Sequence, residues 1–319
     1  MKNKPWHKEA LELTFKGWSG RKIAKHLGMS KSTINDYLKK YKENPEKLHE
    51  VVTKENAPKV LSMDIETSKI KAYVWGLWKQ DISIDNILED WYVICWSAKW
   101  LGQDEVLNSS VHHWEMPPSG RFKDNERLVV EAMWKLLDEA DAIVAHNGAK
   151  FDKKKLNAKF LEYGMPEPSP YKVIDTLLIA KANFAMTSNK LDYITKLLEG
   201  EGKHSTGDKL WRDCMADDID SLDRMQDYCD NDVVELEHIY LKLRHWDKNH
   251  PNLALHYDDN KVRCNSCGSD DLEKLENKTA NTNLSKFSVY RCNCCSKILR
   301  DRENTLSKEK RQSLLMNVR

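Results

Sequence analysis

Two carboxylates two residues apart, Asp64 and Glu66, lie inside the apolar run LSMDIETS at 61–68. On a β-strand alternate residues share a face, so both acids project to one side while Leu61, Met63 and Ile65 take the other. Like charges held that close repel unless a cation lies between them. Hard oxygen ligands suit a hard divalent ion, Mg2+ or Mn2+. A lone pair of this kind is also what a strand entering a turn at Thr67 and Ser68 looks like, so further residues must carry the argument.

Further acids lie where the chain can bring them together. DAIVAHN (141–147) is a short apolar run of the kind buried on both faces. It ends in HNGAKFD, which places Asp152 at a helix start near the carboxyl end of a strand, where open α/β sheets bind ligands. RMQDYCDNDVVELEHIYLKL (224–243) reads as a long amphipathic helix in which Tyr228 and Asp232, four apart, share a face. Asp227 and Asp230 read as solvated charges on that helix. Asp175, in VIDTLL, reads as a strand-end residue with a supporting or structural role.

In order and local context, DIE, HNGAKFD and YCDND resemble the three exonuclease motifs of the DnaQ-like DEDD nucleases, over about 190 residues. Position 227, five before Asp232, is Asp rather than His, so the chain is similar to the tyrosine branch of that family. The resemblance implies an RNase H-like α/β domain, a mixed sheet flanked by helices, with 3′–5′ exonuclease activity on nucleic acid, DNA ahead of RNA. It also implies Asp64, Glu66, Asp152 and Asp232 as ligands of two Mg2+ or Mn2+ ions, Asp64 bridging them, and Tyr228 orienting the attacking water. Phosphodiester hydrolysis needs a hydroxide near neutral pH and charge stabilisation at the attacking and leaving oxygens, which two ions roughly 3.5–4 Å apart supply. With a pKa near 10, a phenol suits hydrogen bonding better than service as the main base. Asn147 would position the scissile region or brace its loop.

The elements that must position these groups follow from pattern. AYVWGLW (72–78) is expected as a hairpin partner of the first strand, and WYVICWSAKWL (91–101), rich in β-branched and aromatic residues, as a third strand. Residues 124–139 form an amphipathic helix through Leu128, Met133, Leu136 and Leu137, and NKLDYITKLLEG a short helix ending at Gly200. The following loop, EGKHSTGDKLW, offers Lys203, His204 and Lys209 to substrate phosphates.

Both ends of the chain carry separate signals. Residues 7–41 read as three short helices marked by Ala10, Leu11, Leu13 and Phe15, then Ile23, Ala24 and Leu27, then Ile34, Tyr37 and Leu38. Gly28 makes a turn and Ser30 can cap the third helix. GRKIAKHLGMSKSTINDYLKKY is similar to the helix-turn-helix of many bacterial and phage regulators. That resemblance implies that Lys31, Ser32, Thr33, Asn35 and Asp36 face a major groove, with Lys31, Thr33 and Asn35 as contacts. At the other end, Cys264/Cys267 and Cys292/Cys295 are two CxxC knuckles separated by 24 residues, the spacing of a zinc ribbon holding one structural Zn2+. Cys294 adjoins the last ligand, but two intervening residues favour Cys295. Arg263, Arg291, Lys297, Arg300 and Arg302 could contact nucleic acid, whereas Cys95, Cys214 and Cys229 are scattered and read as ordinary thiols.

Charge divides the 319-residue chain in the same way. Residues 1–44 carry +7 and residues 285–319 carry +6, which leaves −12 between them against a net +1. Basic ends around an acidic centre suit nucleic-acid-binding arms on a metal-dependent core. The expected organisation is a helix-turn-helix domain at 1–44, a linker at 45–57 with Pro45 and the adjoining Pro58, an RNase H-like domain at 58–247, a linker at 248–261, a zinc ribbon at 262–300 and a basic tail at 301–319. Neither a membrane span nor a signal-peptide core is visible, and eight cysteines then favour metal binding or free thiols over a disulfide framework. The expectation is a cytoplasmic protein, phage-like in its three-part layout and so at work in a bacterial host cell. A non-cleaving DNA-binding regulator or anchoring protein, or an exoribonuclease of the same fold, are the other readings; protein partners are not legible.

Overall fold

The computed structural model describes residues 5–15, 18–42, 57–199 and 207–316. They fall into two compact units, Met1–Pro58 with Ala254–Val262, and Lys59–Leu253 with Arg263–Arg319. Most of the expected linker at 45–57, together with Lys203 and His204, lies outside the described residues.

Among its described residues the first unit holds three α-helices, α1 (Pro5–Phe15), α2 (Gly20–His26) and α3 (Lys31–Lys42). Ala10 and Leu11 of α1, Ile23 and Ala24 of α2, and Ile34 and Leu38 of α3, the last two one turn apart, form its core. Ser19 caps α2, and Ser30 accepts from the Thr33 amide at the start of α3. Between them Gly28 takes a left-handed φ of +63°, open to glycine without steric cost. Lys31, Ser32, Thr33 and Asp36 are exposed and Asn35 is half-buried.

The second unit is built on a mixed sheet of five strands: β1 (Val60–Thr67), β4 (Val93–Trp100), β5 (Leu107–Ser110), β6 (Ala142–Ala145) and β7 (Lys172–Asp175). Their order is β5-β4-β1-β6-β7; β4 runs antiparallel to β1 and β5, whereas β6 runs parallel to β1 and β7. Every residue of β6 is buried, as its continuous apolar sequence requires. Between β1 and β4 the chain makes only the two short strands β2 (Lys71–Ala72) and β3 (Ile87–Glu89), paired with each other. AYVWGLW is therefore not a hairpin partner of β1. Both edges of β1 are occupied, by β4 and β6, and residues 73–78 have no strand to join.

Helices cover the sheet: α4 (Glu126–Glu139), α5 (Asp152–Glu162), α6 (Thr176–Asn183), α7 (Leu191–Glu199), α8 (Lys209–Cys214) and the 25-residue α9 (Ile219–Leu243). In α4 the core face is Val129, Val130, Met133 and Leu137, with Leu136 half-buried against it as expected, while Leu128 is exposed; a 3-10 turn at Phe122–Asn125 precedes the helix. Leu61, Met63 and Ile65 of β1 pack with that face in the larger core. The first half of α9 joins the same core through Leu222, Met225 and Cys229. Its second half, Leu236, Ile239 and Tyr240, joins another with Val60, Val144 and Ile179.

The same unit carries a three-stranded antiparallel sheet, β8 (Leu272–Asn281), β9 (Lys286–Cys292) and β10 (Ile298–Arg300), in the order β10-β9-β8. Residues 301–305 run back along β9, with Asp301 and Thr305 donating to Ser288 and Lys286, before the short α10 (Lys308–Gln312). Among the described residues no helix is long and apolar enough to cross a membrane.

Candidate active site

Asp64 and Glu66 follow Val60 and Ser62 on one face of β1, opposite Leu61, Met63 and Ile65. A bulge between Glu66 and Thr67 shifts the register with β4, so that Glu66 pairs with Cys95 and Thr67 with Val93. Across from this face, α9 brings Asp232, and one carboxylate oxygen from each of Asp64, Glu66 and Asp232 lies within 4.8 Å of the others. Tyr228, one turn earlier, is half-buried beside them. Burial first, then the charges of Glu66 and Asp64, push its phenol up to about 12. It is protonated at neutral pH and stands as a hydrogen-bond donor, not a base.

Asp152 comes from the other side of β1, as the first residue of α5 and only 2% exposed. Burial, then the charge of Asp64, hold its carboxyl well above the usual carboxylate range. Among the described residues no donor reaches its Oδ1. A buried carboxylate oxygen without a partner is costly. Three acids gathered alongside repel one another by their like charges. Divalent ions would satisfy both, so the donor set fits the metal expected from sequence: Asp64, Glu66 and Asp232 around one centre and Asp152 next to it.

The turn that aims Asp152 is tightly specified. Asn147 adopts φ +70°, and its carbonyl accepts from the Lys150 and Phe151 amides. Its own amide donates to Asp175 Oδ1 at 3.0 Å, and the Ala149 amide reaches Asp175 Oδ2 at 3.4 Å. Asp175 also caps α6 through the Leu177 and Leu178 amides. Asp175 thus ties the β6–α5 turn to β7, and Asn147 braces the loop by its backbone. At Gly148 an added Cβ would meet Ala145 Cβ at 2.3 Å and Asp152 Oδ2 at 3.6 Å.

Two readings of the surroundings change. Asp230 is no solvated charge: it accepts from Ser97, from Asn108 at 2.8 Å and from Gln226 at 2.9 Å, stitching α9 to β4 and β5. Cys95 and Cys229, far apart in sequence, hydrogen-bond to each other, and burial raises both thiols. The Cys229 thiol also reaches Asp64 Oδ2 at 3.7 Å, so a protonated sulfur underlies the acidic cluster. Lys209, in the loop expected to contact phosphate, is exposed and 4.0 Å from Asp213.

In the three-stranded module the four sulfurs of Cys264, Cys267, Cys292 and Cys295 lie within 4.8 Å of one another, whereas Cys294 is exposed. Gly268 and Ser296, each one residue beyond a CxxC pair, both have left-handed φ, +73° and +64°. Hydrogen bonds from neighbouring thiols hold Cys264 well below the usual thiol range. A thiolate in a closed cluster of four cysteines suits zinc. Arg291, Arg300 and Arg302 are exposed and Arg263 is half-buried, but Lys297 is 7% exposed and donates to the Asp247 carbonyl. It anchors the module to the chain just beyond α9 and is not available to a nucleic acid.

Residues 116–244 match a family model described as the RNase_H superfamily, and the five-stranded mixed sheet flanked by helices is consistent with that fold. The matched segment contains Asp152, Tyr228 and Asp232 and begins after Asp64 and Glu66. Residues 6–54 match a model of the terminase ATPase subunit (gpP-like). Comparison with curated proteins finds no match.

Proposed function

We propose that this chain is a metal-dependent 3′–5′ exonuclease of the DnaQ-like type, tyrosine branch, acting on DNA. The observation that carries it is the meeting of Asp64, Glu66 and Asp232 within 4.8 Å, drawn from motifs far apart in the chain, beside the partnerless Oδ1 of Asp152. Asp64, Glu66, Asp152 and Asp232 would hold two Mg2+ or Mn2+ ions, which when bound lower the pKa of water and stabilise charge on the attacking and leaving oxygens. Tyr228, protonated and next to the acids, holds a water or phosphate oxygen by donating to it. Cys229 donates its S–H to Asp64 and helps fix that carboxylate.

The three helices at the N-terminus are proposed to hold DNA, with Lys31 and Thr33 exposed on α3 and Asn35 beside them. The match of residues 6–54 to a terminase family supports a phage setting. The cysteine module is proposed as a zinc ribbon with one structural Zn2+; its buried core is small, and a metal staple is what such a module needs to fold.

The test is cleavage of 5′-labelled single-stranded and duplex DNA and RNA in Mg2+ or Mn2+, with Asp64→Ala and Asp232→Asn beside the wild type. Shortening from the 3′ end that both variants abolish supports the proposal. Label that stays intact but shifts in a gel would show a binding protein instead.

A further inference from the structure

Residues 73–86 form a loop whose stem is fixed and whose tip is bare. Lys71 pairs with Glu89 and Ala72 with Ile87 in the β2–β3 ladder, and the Tyr73 amide donates to the Asn86 carbonyl at 2.9 Å. Glu89 is in turn held by Lys123 at 3.3 Å and Arg121 at 3.5 Å. On this stem Trp75 is 98% exposed, Trp78 85% and Tyr73 68%, while Gln80 donates to the Trp78 carbonyl and shapes the tip. Single exposed apolar side chains are ordinary; a contiguous set on an anchored loop marks an interaction site.

We propose that this loop is a stacking platform for the unpaired bases of a nucleic-acid strand whose end enters the acidic site. The inference rests on the nuclease reading above and narrows its substrate to single-stranded or frayed ends. Three observations favour this occupant. The loop leaves the end of β1 that carries Asp64 and Glu66. Exposed Lys71 and Lys79 flank the rings on either side, setting cations for a phosphate backbone beside faces on which bases stack; the cores of protein interfaces are instead depleted of lysine. The anchored stem also presents the rings at little ordering cost. A base offers its face to a side chain only once it is unstacked, which excludes intact duplex as the ligand of the loop.

The experiment measures anisotropy of a fluorescein-labelled oligo-dT and of a blunt duplex of equal length, binding to the full Asp64→Ala chain with and without Trp75→Ala and Trp78→Ala. Each loop substitution should weaken single-strand binding roughly tenfold, as expected for loss of one stacking ring, leave duplex binding unchanged and leave the melting temperature unchanged; Trp75→Phe should retain most of the affinity. Unaltered single-strand binding overturns the proposal, as does a fall in oligomer mass by light scattering when the rings are removed, which would make the loop a self-association surface. In a chain with native Asp64, cleavage with ring-independent binding sinks this inference alone. Ring-dependent binding without cleavage sinks the nuclease reading alone.

Discussion

Gly148→Ala tests how tightly the β6–α5 turn fixes Asp152. The new Cβ would lie 2.3 Å from Ala145 Cβ, where carbon–carbon contact needs about 3.5–4.0 Å. The turn must therefore move by more than ~1 Å, because Ala145 is fully buried in β6 with neighbours on both sides. Overpacking of this kind costs about 1–3 kcal/mol, or roughly 2–4 °C of melting temperature per kcal/mol for a domain of this size. Asp152 Oδ2 is 3.6 Å from the same Cβ, and a displacement of about 1 Å at a reacting centre can cost about 100-fold in rate. The assays are thermal melting and metal-dependent strand cleavage. Ala145→Gly removes the atom that is struck, so the double variant should melt above Gly148→Ala alone and recover part of its rate. Wild-type stability and rate in Gly148→Ala, or no recovery in the double variant, would refute the reasoning.

Three other outcomes follow from groups elsewhere in the chain. Lys99→Met should cost about 3–5 kcal/mol by urea denaturation, because Glu237, 6% exposed at its side chain, keeps the Gly102 amide but loses its buried cation; adding Glu237→Leu should restore most of it. His250 accepts from the Tyr240 hydroxyl at 2.9 Å and is held below the usual histidine range, by burial first. Below about pH 6.5 the unfolded chain therefore binds the proton more readily and stability falls as pH drops; His250→Gln should flatten that slope by at most about 1.4 kcal/mol per pH unit between pH 7 and 5.5. Cys264→Ser should reduce zinc, measured by atomic emission, well below one ion per chain while cleavage of a short strand persists; unchanged zinc would remove the ribbon assignment.

What the sequence revealed of the site depended on range. The face shared by Asp64 and Glu66 and the one-turn spacing of Tyr228 and Asp232 follow from local periodicity, and the structure brings those four groups together. Asp152 at a helix start was likewise legible from the strand that precedes it. Asp230 was misjudged because its partners Ser97 and Asn108 lie on strands more than a hundred residues earlier, and nothing in a helical wheel shows them. Cys229 read as an ordinary thiol for the same reason: Cys95 and Asp64 come to it only when α9 docks. AYVWGLW has strong β propensity, but propensity does not supply an open edge, and β1 has none. Lys297 looked like one more basic residue of a nucleic-acid-binding surface; its position just beyond the second knuckle turns it inward to Asp247.

The origin of the acidic cluster in β1 and α9 also sets a time at which it can exist. Glu66 and Asp232 are 166 residues apart in the chain. At ribosomal rates of roughly 5–20 residues per second, α9 follows β1 by roughly 8–33 seconds. Throughout that interval a nascent chain holds two of the acids and lacks the third, with Tyr228 also still to be made. Products of interrupted translation that stop short of α9 never complete the cluster. The acidic cluster is therefore incomplete for as long as the chain is being made, and is assembled only when the longest helix closes over the sheet.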